Sequence, residues 1–481
     1  MEKKDLKPAG VFKYFEEICQ VPRPSKKEEK MIAYLKAFGA KHNLETKVDE
    51  AGNVLIKKPA TPGKENLQTV VLQSHIDMVC EKNNDVQHDF LTDPIETEID
   101  GEWLKAKGTT LGADNGIGVA TELAILADDS IEHGPLECLF TVDEETGLTG
   151  AFALQEGFMS GDILLNLDSE DEGEIFIGCA GGIDSVAEFT YKEVKVPAGY
   201  FFFKVEVKGL KGGHSGVDIH LGRANANKLM FRFLKEAVRD YGARLSSVDG
   251  GSLRNAIPRE AFAVITIPGD NVEALWELVS DYQEMYRYEY KGIEHNINFT
   301  AEMTDMPATL IPEEIQDDLI NAIEGCQNGV ISMLVDFPGT VESSTNLAIV
   351  KSSNEMIEIQ ILVRSSSESR KEAVCSSLES IFSLAGAKVE YSDGYGGWQP
   401  NIDSPILKIM QQAYLDLYGK KPEAKVMHAG LECGIIQESY PDMDMISIGP
   451  DLQHPHSPDE RVSIPSVART WDFIVTTLAR I

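Results

Sequence analysis

The sequence has no long apolar run and few cysteines. No stretch approaches the roughly 20 consecutive apolar residues that a membrane-spanning helix needs, and the charged start lacks the apolar core of a secretion signal. The seven cysteines are scattered and form no Cys-x-x-Cys pair, which argues against a disulfide framework and against a thiolate zinc site. These absences predict a cytoplasmic protein with reduced thiols and no membrane partner.

Basic residues are scarce compared with acidic ones. Lys and Arg total 44 against 78 Asp and Glu, so the formal net charge is -34. Such a charge repels nucleic acids at long range, and we expect no nucleic-acid partner. Most of the carboxylates are expected to form a solvated surface. Only carboxylates in special positions are candidates for catalysis.

The chain is long enough for more than one hydrophobic core. Its 481 residues are 42% hydrophobic and 25% charged, as in a folded globular protein. Between residues 67 and 168, continuous apolar runs alternate with helical patterns, which predicts an α/β domain with a mostly parallel sheet flanked by helices. From residue 201 the pattern becomes rich in predicted strands, and a helix with one apolar face is predicted within 224–239. This change predicts an inserted α+β domain. We therefore predict a discontinuous first domain over 1–188 and 397–481, interrupted by an insertion over 189–396.

A complete helix pattern follows the insertion. Ser404 is a suitable N-cap, Pro405 suits the first helical position, and Gly419 follows the last apolar residue of the pattern. The chain thus returns to regular α/β structure after the insertion.

A histidine and an acid stand where an apolar run ends. Val70, Val71 and Leu72 lead to His75 and Asp77, at the carboxyl end of a predicted strand, where open α/β sheets place their sites. His75 is a candidate metal ligand, and Asp77 is a candidate partner for its other ring nitrogen. His-x-Asp is common, so an ordinary strand end remains an alternative for this motif alone.

A glycine-rich turn over 110–118 carries Asp114. A nucleotide-binding loop is the rival interpretation, but there is no Gly-x-Gly-x-x-Gly, no Gly-Lys-Ser/Thr, and an acid stands where a phosphate would be repelled. Two carboxylate oxygens on a tightly turned backbone suit a residue that bridges two cations. Asp114 is therefore a candidate bridging ligand.

Three consecutive acids, Asp143, Glu144 and Glu145, follow the predicted strand over 136–142. Their mutual repulsion is costly without a nearby cation. Because neighbouring side chains diverge, one carboxylate can bind a metal while the other takes a proton from water. A solvated acidic turn remains the alternative for this motif taken alone.

Two further segments offer ligands. Asp168 directly follows the apolar run over 163–167, and the proline-stiffened loop near the other end contains His454 and His456. Position alone does not choose between these histidines. Taken together, nitrogen and carboxylate ligands without cysteine suit zinc, manganese or cobalt, and a shared aspartate implies two ions roughly 3.5 to 4 Å apart.

The ordered set of motifs resembles the M20 metallopeptidase family, and within it the aminoacyl-histidine and cytosol non-specific dipeptidases. The resemblance spans nearly the whole chain. It rests on four segments: Leu72-Gln73-Ser74-His75-Ile76-Asp77-Met78-Val79, Gly112-Ala113-Asp114-Asn115-Gly116, His428-Ala429-Gly430-Leu431-Glu432-Cys433-Gly434 and Pro455-His456-Ser457-Pro458-Asp459-Glu460. Ser74 stands where many relatives carry glycine, which replaces no ligand.

The resemblance implies two divalent metal ions, with zinc as the first choice and cobalt or manganese as alternatives, and it assigns roles. The assignment is His75 and Asp168 for one ion, Glu145 and His456 for the other, Asp114 as the bridge, Glu144 as general base and Asp77 as the residue that orients His75. His456 is thereby preferred over His454.

The inserted region then looks like the family's lid and dimerisation domain. The segment Gly212-Gly213-His214-Ser215-Gly216 resembles the lid segment whose histidine polarises the scissile carbonyl, often from the partner subunit, so a homodimer is implied. Asn255 and Arg364 are substrate contacts by the same resemblance, and a guanidinium suits a peptide's terminal carboxylate. Glu432 is a candidate anion for the free amino group.

These observations predict a metallodipeptidase that hydrolyses unblocked dipeptides, including Xaa-His dipeptides, with a water activated by two metals and Glu144. An N-acyl-amino-acid deacylase or a tripeptidase of the same family is the alternative, and a binding protein that kept the fold is a second one. A serine or cysteine nucleophile is disfavoured, since no Gly-x-Ser-x-Gly elbow is present.

Overall fold

The computed structural model describes residues 3–353, 355–392 and 394–481 and divides into two units. The first unit comprises Met1–Cys179, Trp398–Val426 and Leu431–Ile481, and the second comprises Ala180–Gly397 and Met427–Gly430. The predicted boundary at 188/189 falls inside the strand Gly181–Thr190, which pairs along its whole length with Met356–Ser365 of the second unit. Residues 181–188 therefore belong to the second unit.

An eight-stranded sheet forms the centre of the first unit. In spatial order its strands are Glu45–Val48, Val54–Lys58, Leu136–Thr141, Val70–His75, Ile163–Asn166, Asp444–Ser447, Glu174–Cys179 and Glu423–Met427.

The four central strands of this sheet, Leu136–Thr141 through Asp444–Ser447, are parallel, and the described pairings beside them are antiparallel. Val70–His75, Leu136–Thr141 and Ile163–Asn166 are buried at every position, as continuous apolar runs predict for strands covered on both faces. Their carboxyl ends meet at one edge. The predicted α/β class is confirmed.

The helices of the first unit are Ala9–Ile18, Glu29–Lys41, Ala113–Ala127, Glu144–Gly147, Thr149–Ala153, Pro405–Tyr418, Glu432–Ser439 and Ile464–Arg480. The predicted caps act as expected at Pro405–Tyr418: the Ser404 hydroxyl accepts a hydrogen bond of 3.1 Å from the Leu407 amide, and Gly419 ends the helix at φ +69°.

A small antiparallel sheet lies in the same unit. Its strands are Leu452–Gln453, Arg461–Ser463, Trp103–Ala106 and Thr97–Asp100. The first two form a hairpin, and the loop between them carries both candidate histidines of the late motif.

The second unit is a nine-stranded sheet with helices packed on it. The described pairings are all antiparallel. The strands in order are Asn298–Met303, Tyr200–Lys208, Ala261–Pro268, Arg244–Gly250, Val341–Ser353, Met356–Ser365, Gly181–Thr190 and Lys388–Tyr391, with Gly329–Met333 paired to Val341–Ser353. A two-stranded ladder joins Gly213–His214 to Ala256–Ile257.

Four helices, Ala226–Tyr241, Val272–Glu289, Glu313–Gly325 and Glu368–Leu384, bury their apolar faces against residues of this sheet in one core. The first begins after Asn225, whose side chain accepts from the Lys228 amide. It therefore starts two residues later than its apolar pattern alone suggests. The inserted α+β region is thus as predicted. Among the described residues, no helix combines the length and apolar character needed to cross a bilayer.

Candidate active site

Strand register brings His75 and Asp168 together. Gln73 pairs with Asn166 in the parallel ladder. His75 and Asp168 each follow two residues later, so they lie side by side at the carboxyl ends of their strands. His75 Nε2 lies 3.3 Å from Asp168 Oδ1. The two apolar runs thus deliver an imidazole and a carboxylate to one point at the sheet edge.

Asp114 reaches two imidazoles at once. It follows Gly112, which has φ +67° at the start of the helix Ala113–Ala127, and its own backbone is not helical. Its Oδ1 lies 3.1 Å from His75 Nε2, and its Oδ2 lies 3.1 Å from His456 Nε2. The carboxylate therefore stands between the two histidines with one oxygen directed to each.

His456 joins the cluster, and His454 does not. Both residues have positive φ, +57° for His454 and +59° for His456, in the hairpin loop. His456 Nε2 lies 3.0 Å from Glu145 Oε2, whereas His454 lines a surface pocket together with Lys105 and Arg461. The tight loop decides which imidazole faces the carboxylates.

Asp77 holds several parts of the site. Its Oδ1 lies 3.3 Å from His75 Nδ1 and accepts from the Glu144 amide at 3.1 Å, while its Oδ2 accepts from the Glu145 amide at 3.2 Å. The Ser25 hydroxyl also donates to Oδ2 at 2.8 Å. Asp77 is completely buried, so it fixes the imidazole and the Glu144-Glu145 backbone together.

Burial and neighbouring charges shift the pKa values of the side chains in this cluster. Burial alone lowers the pKa of His75, but Asp168 and Asp114 outweigh it and raise that pKa well above the ordinary value. Hydrogen bonds to Asp114 and Glu145 raise the pKa of His456 to about 11. Burial raises the pKa of Glu144 well above its usual range.

The donor set fits divalent metal ions. Ligand atoms of His75, Asp114 and Glu145 lie within 4.8 Å of one another. Glu145 Oε1 and Asp168 Oδ1 are buried and have no hydrogen-bond partner among the described residues. Carboxylate oxygens kept from both water and donors are costly, and a cation beside them removes that cost. Imidazole with carboxylate and no thiolate is a donor set that zinc, cobalt and manganese accept.

Glu432 lies beneath this cluster, contrary to its predicted role. Its exposed fraction is 0%, and its Oε2 accepts from Gln73 Nε2 at 2.6 Å and from the Thr141 hydroxyl at 2.8 Å. Burial raises its pKa to about 7. The contact with a substrate amino group would need exposed surface that Glu432 lacks, so we do not propose it.

The second unit brings its three candidate residues together around Ser215. The Ser215 amide donates to the Asn255 carbonyl at 2.8 Å, and Arg364 Nε lies 3.4 Å from the Ser215 hydroxyl. His214 precedes Ser215 and pairs with Ala256 in the short ladder. His214 and Arg364 therefore lie close together within this unit, and Asn255 joins them through its backbone carbonyl.

His214 has a defined tautomer in this group. Its Nδ1 accepts from the Gly216 amide at 3.1 Å and from the Val217 amide at 3.2 Å, so the proton of the neutral ring lies on Nε2. Burial and the charge of Arg364 lower the pKa of His214 to about 4. The imidazole is neutral at pH 7 and presents an N–H donor.

Two further side chains of this group, Tyr395 and His428, were not among the predicted site residues. Arg364 Nη1 donates to the Tyr395 hydroxyl at 2.8 Å, and His428 Nε2 lies 2.7 Å from the Ser344 hydroxyl. Tyr395 begins a Tyr-Gly-Gly segment that carries only a turn signal. Their roles depend on contacts between residues distant in sequence, which no local pattern reveals.

Comparison with known proteins identifies the family. The model of Peptidase family M20/M25/M40 matches residues 71–480. The cytosol non-specific dipeptidase of Escherichia coli K12 is 46% identical over 480 residues, which cover 100% of this chain and 99% of that protein. The crystal structure of an aminoacylhistidine dipeptidase from Vibrio alginolyticus has a TM-score of 0.91 at 48% identity, and the match covers 100% of this chain and 98% of that one.

A tripeptidase from Staphylococcus aureus shares the fold, with a TM-score of 0.57 at 16% identity over 99% of this chain and 98% of that chain. The resemblance seen in the motifs is thus confirmed over the length of the protein. With the family model spanning most of the chain, the protein belongs to peptidase family M20/M25/M40 and is a hydrolase.

Proposed function

We propose that this protein is a metal-dependent dipeptidase that hydrolyses unblocked dipeptides, including those with histidine in the second position. The observation that carries the proposal is Asp114, whose two carboxylate oxygens face His75 and His456 at 3.1 Å each. Each imidazole also has a second carboxylate beside it, Asp168 or Glu145. The two relatives at 46% and 48% identity carry the name dipeptidase, which supports the substrate class.

Two divalent ions would be held by these residues, one by His75 and Asp168, the other by His456 and Glu145, with Asp114 shared. When bound, such ions supply Lewis acidity that lowers the pKa of water and polarises a carbonyl. Zinc is our first choice, and cobalt and manganese suit the same donors.

Glu144 is the proposed general base. It adjoins the proposed ligand Glu145, and a carboxylate in that place can accept a proton from water and later return it. It takes the proton from the attacking water and delivers it to the leaving amine. Asp77 is proposed as a positioning residue, because it orients His75 and accepts hydrogen bonds from the Glu144 and Glu145 amides.

His214, Asn255 and Arg364 are the proposed substrate contacts. Arg364 is 5% exposed and has no carboxylate within ion-pair distance among the described residues. A buried cation of this kind suits the terminal carboxylate of a dipeptide. The Nε2–H of His214 is a donor for the carbonyl oxygen as it gains negative charge. Asn255 adds a neutral hydrogen bond.

Replacing Arg364 with lysine is expected to raise KM for dipeptides by about 10- to 100-fold with little change in kcat. Lysine cannot keep the contacts to both Tyr395 and Ser215 while binding a carboxylate with two parallel hydrogen bonds. Lost binding of this kind acts equally on ground and transition states. Steady-state kinetics measure it, and Arg239→Lys on an exposed helix position is the matched control. An unchanged KM would remove Arg364 from the substrate site.

A substrate panel tests the proposed function. Purified protein is stripped of metal, reloaded with zinc, manganese or cobalt in turn, and assayed on dipeptides, tripeptides and N-acyl amino acids. We expect dipeptides, including Xaa-His, to have the highest kcat/KM. Preference for N-acyl amino acids or tripeptides would favour the corresponding alternative, and no metal-dependent turnover on any substrate would contradict an enzymatic role.

We also propose a cytoplasmic homodimer. The location is supported by the cysteines, which form no disulfide among the described residues, and by the name of the Escherichia coli relative, a cytosol dipeptidase. The dimer rests on resemblance to the family. Sedimentation analysis of the purified protein measures it, with a monomer as the contrary result.

A further inference from the structure

Glu460 is a buried carboxylate that accepts hydrogen bonds from four consecutive backbone amides. It is 2% exposed and belongs to the same hairpin loop as His456. The donors are Leu111 at 2.7 Å and Gly112 at 2.9 Å to Oε2, and Ala113 at 2.7 Å and Asp114 at 3.2 Å to Oε1. The last of these donors is the proposed bridging ligand itself.

These four amides belong to the turn that opens a helix. They lie at the start of the helix Ala113–Ala127, where the first amides lack partners inside the helix. Gly112 is left-handed, and Asp114 has φ -80° and ψ 109°, so the chain turns sharply there. A single carboxylate that accepts from all four amides fixes this turn. The direction of the Asp114 side chain follows from the turn.

Arg23 holds the other side of the same turn. It is 2% exposed, its Nη2 donates to the Gly112 carbonyl at 2.6 Å, and its Nη1 donates to the Asp77 carbonyl at 3.0 Å. A Cβ at Gly112 would lie 2.5 Å from Arg23 Nη2, so the close approach requires glycine. The Glu460 carboxyl group thus holds the amide of Gly112, and the buried Arg23 guanidinium holds its carbonyl.

We infer that Glu460 is a positioning residue for the metal centre, which holds the 111–114 turn so that the two Asp114 oxygens face His75 and His456. Because Glu460 also anchors the loop of His456, it sets the separation between the bridging ligand and this histidine. The inference rests on the proposed two-metal function. It adds a residue that touches neither metal nor substrate.

The Glu460→Gln substitution distinguishes a residue that positions the 111–114 turn from one that only fills volume in the core. The side chain keeps its size, but it has one acceptor oxygen, and its NH2 group faces two amide donors. The turn then loses two of its hydrogen bonds. The Asp114 oxygens are no longer held in place, while the ligands themselves are unchanged.

The test is cobalt binding to the metal-free full-length protein, measured by calorimetry and by visible absorption. For Glu460→Gln we expect cobalt affinity to fall by about 10- to 100-fold, as for residues that support metal ligands. The absorption bands should also change, because they report the arrangement of the ligands. If Glu460 had a purely structural role, its replacement would change neither the cobalt affinity nor the absorption bands.

Glu137→Gln is the matched control. Glu137 is also 2% exposed in the first unit and accepts from the Ser160 amide at 2.8 Å, but it lies near the amino end of its strand, away from the sheet edge that carries the ligands. Both variants are expected to lower the thermal stability of the metal-free protein. Only Glu460→Gln is expected to weaken cobalt binding.

Wild-type affinity and absorption in a folded Glu460→Gln variant would overturn the inference. If that variant does not fold, Glu460→Asp replaces it: the carboxyl group stays but is one methylene further from the amides, and weaker cobalt binding is again expected. Unchanged binding in the aspartate variant would equally overturn the inference. A wild-type protein that binds no cobalt would instead contradict the proposed function.

Discussion

Glu144→Gln is expected to lower kcat for dipeptides by about 10²- to 10⁴-fold while KM and metal content stay near wild type. The amide cannot accept the proton of water, but it has the same shape as the acid. Its backbone amide still donates to Asp77, so the turn that carries Glu145 remains in place. Steady-state kinetics and elemental analysis of the purified variant measure both quantities.

Glu145→Gln is the informative companion to this variant. Glu145 lies 3.0 Å from His456 Nε2 and has a buried oxygen without a hydrogen-bond partner among the described residues, so its loss should lower bound metal. We expect Glu144→Gln to lose turnover with metal retained, and Glu145→Gln to lose metal. Equal metal loss in both variants would contradict the division of the pair into a base and a ligand.

The site residues whose positions were predicted from the sequence share one feature, which is a position directly after an apolar strand. His75 and Asp168 each follow an apolar run, and parallel strands bring their carboxyl ends to one edge. The same reasoning placed the acidic triplet after Leu136–Thr141. Strand period and strand direction are local properties, so a linear pattern suffices to predict them.

Other features depend on packing, which the linear pattern does not encode. The choice of His456 over His454 follows from a hairpin loop in which both residues have positive φ. The burial of Glu432 depends on Gln73 and Thr141, which are far away in the sequence. Glu460 was part of a recognised motif, but its partners are backbone amides about 350 positions earlier, and an amide carries no sequence signal.

Asp114→Asn is expected to lower kcat/KM by about 10³-fold or more and to reduce bound metal from two ions per subunit. The Lewis acidity of the ions is worth several kcal/mol of transition-state stabilisation, and each 1.4 kcal/mol is about a factor of ten. Asparagine offers one acceptor oxygen where aspartate directs one to each imidazole, and its NH2 group opposes a cation. It also removes the negative charge that the two ions share.

Metal reloading separates this effect from misfolding. Chelator-treated wild type should recover its activity when zinc, cobalt or manganese is returned, because its ligands are intact. Asp114→Asn should not recover even in excess metal, since the missing group is the one both ions need. The Glu460 carboxylate accepts from the backbone amide of residue 114, so the turn can persist without the native side chain. A folded variant that binds two ions with wild-type affinity would show that Asp114 is not the bridge and that each metal is held by its own histidine and carboxylate.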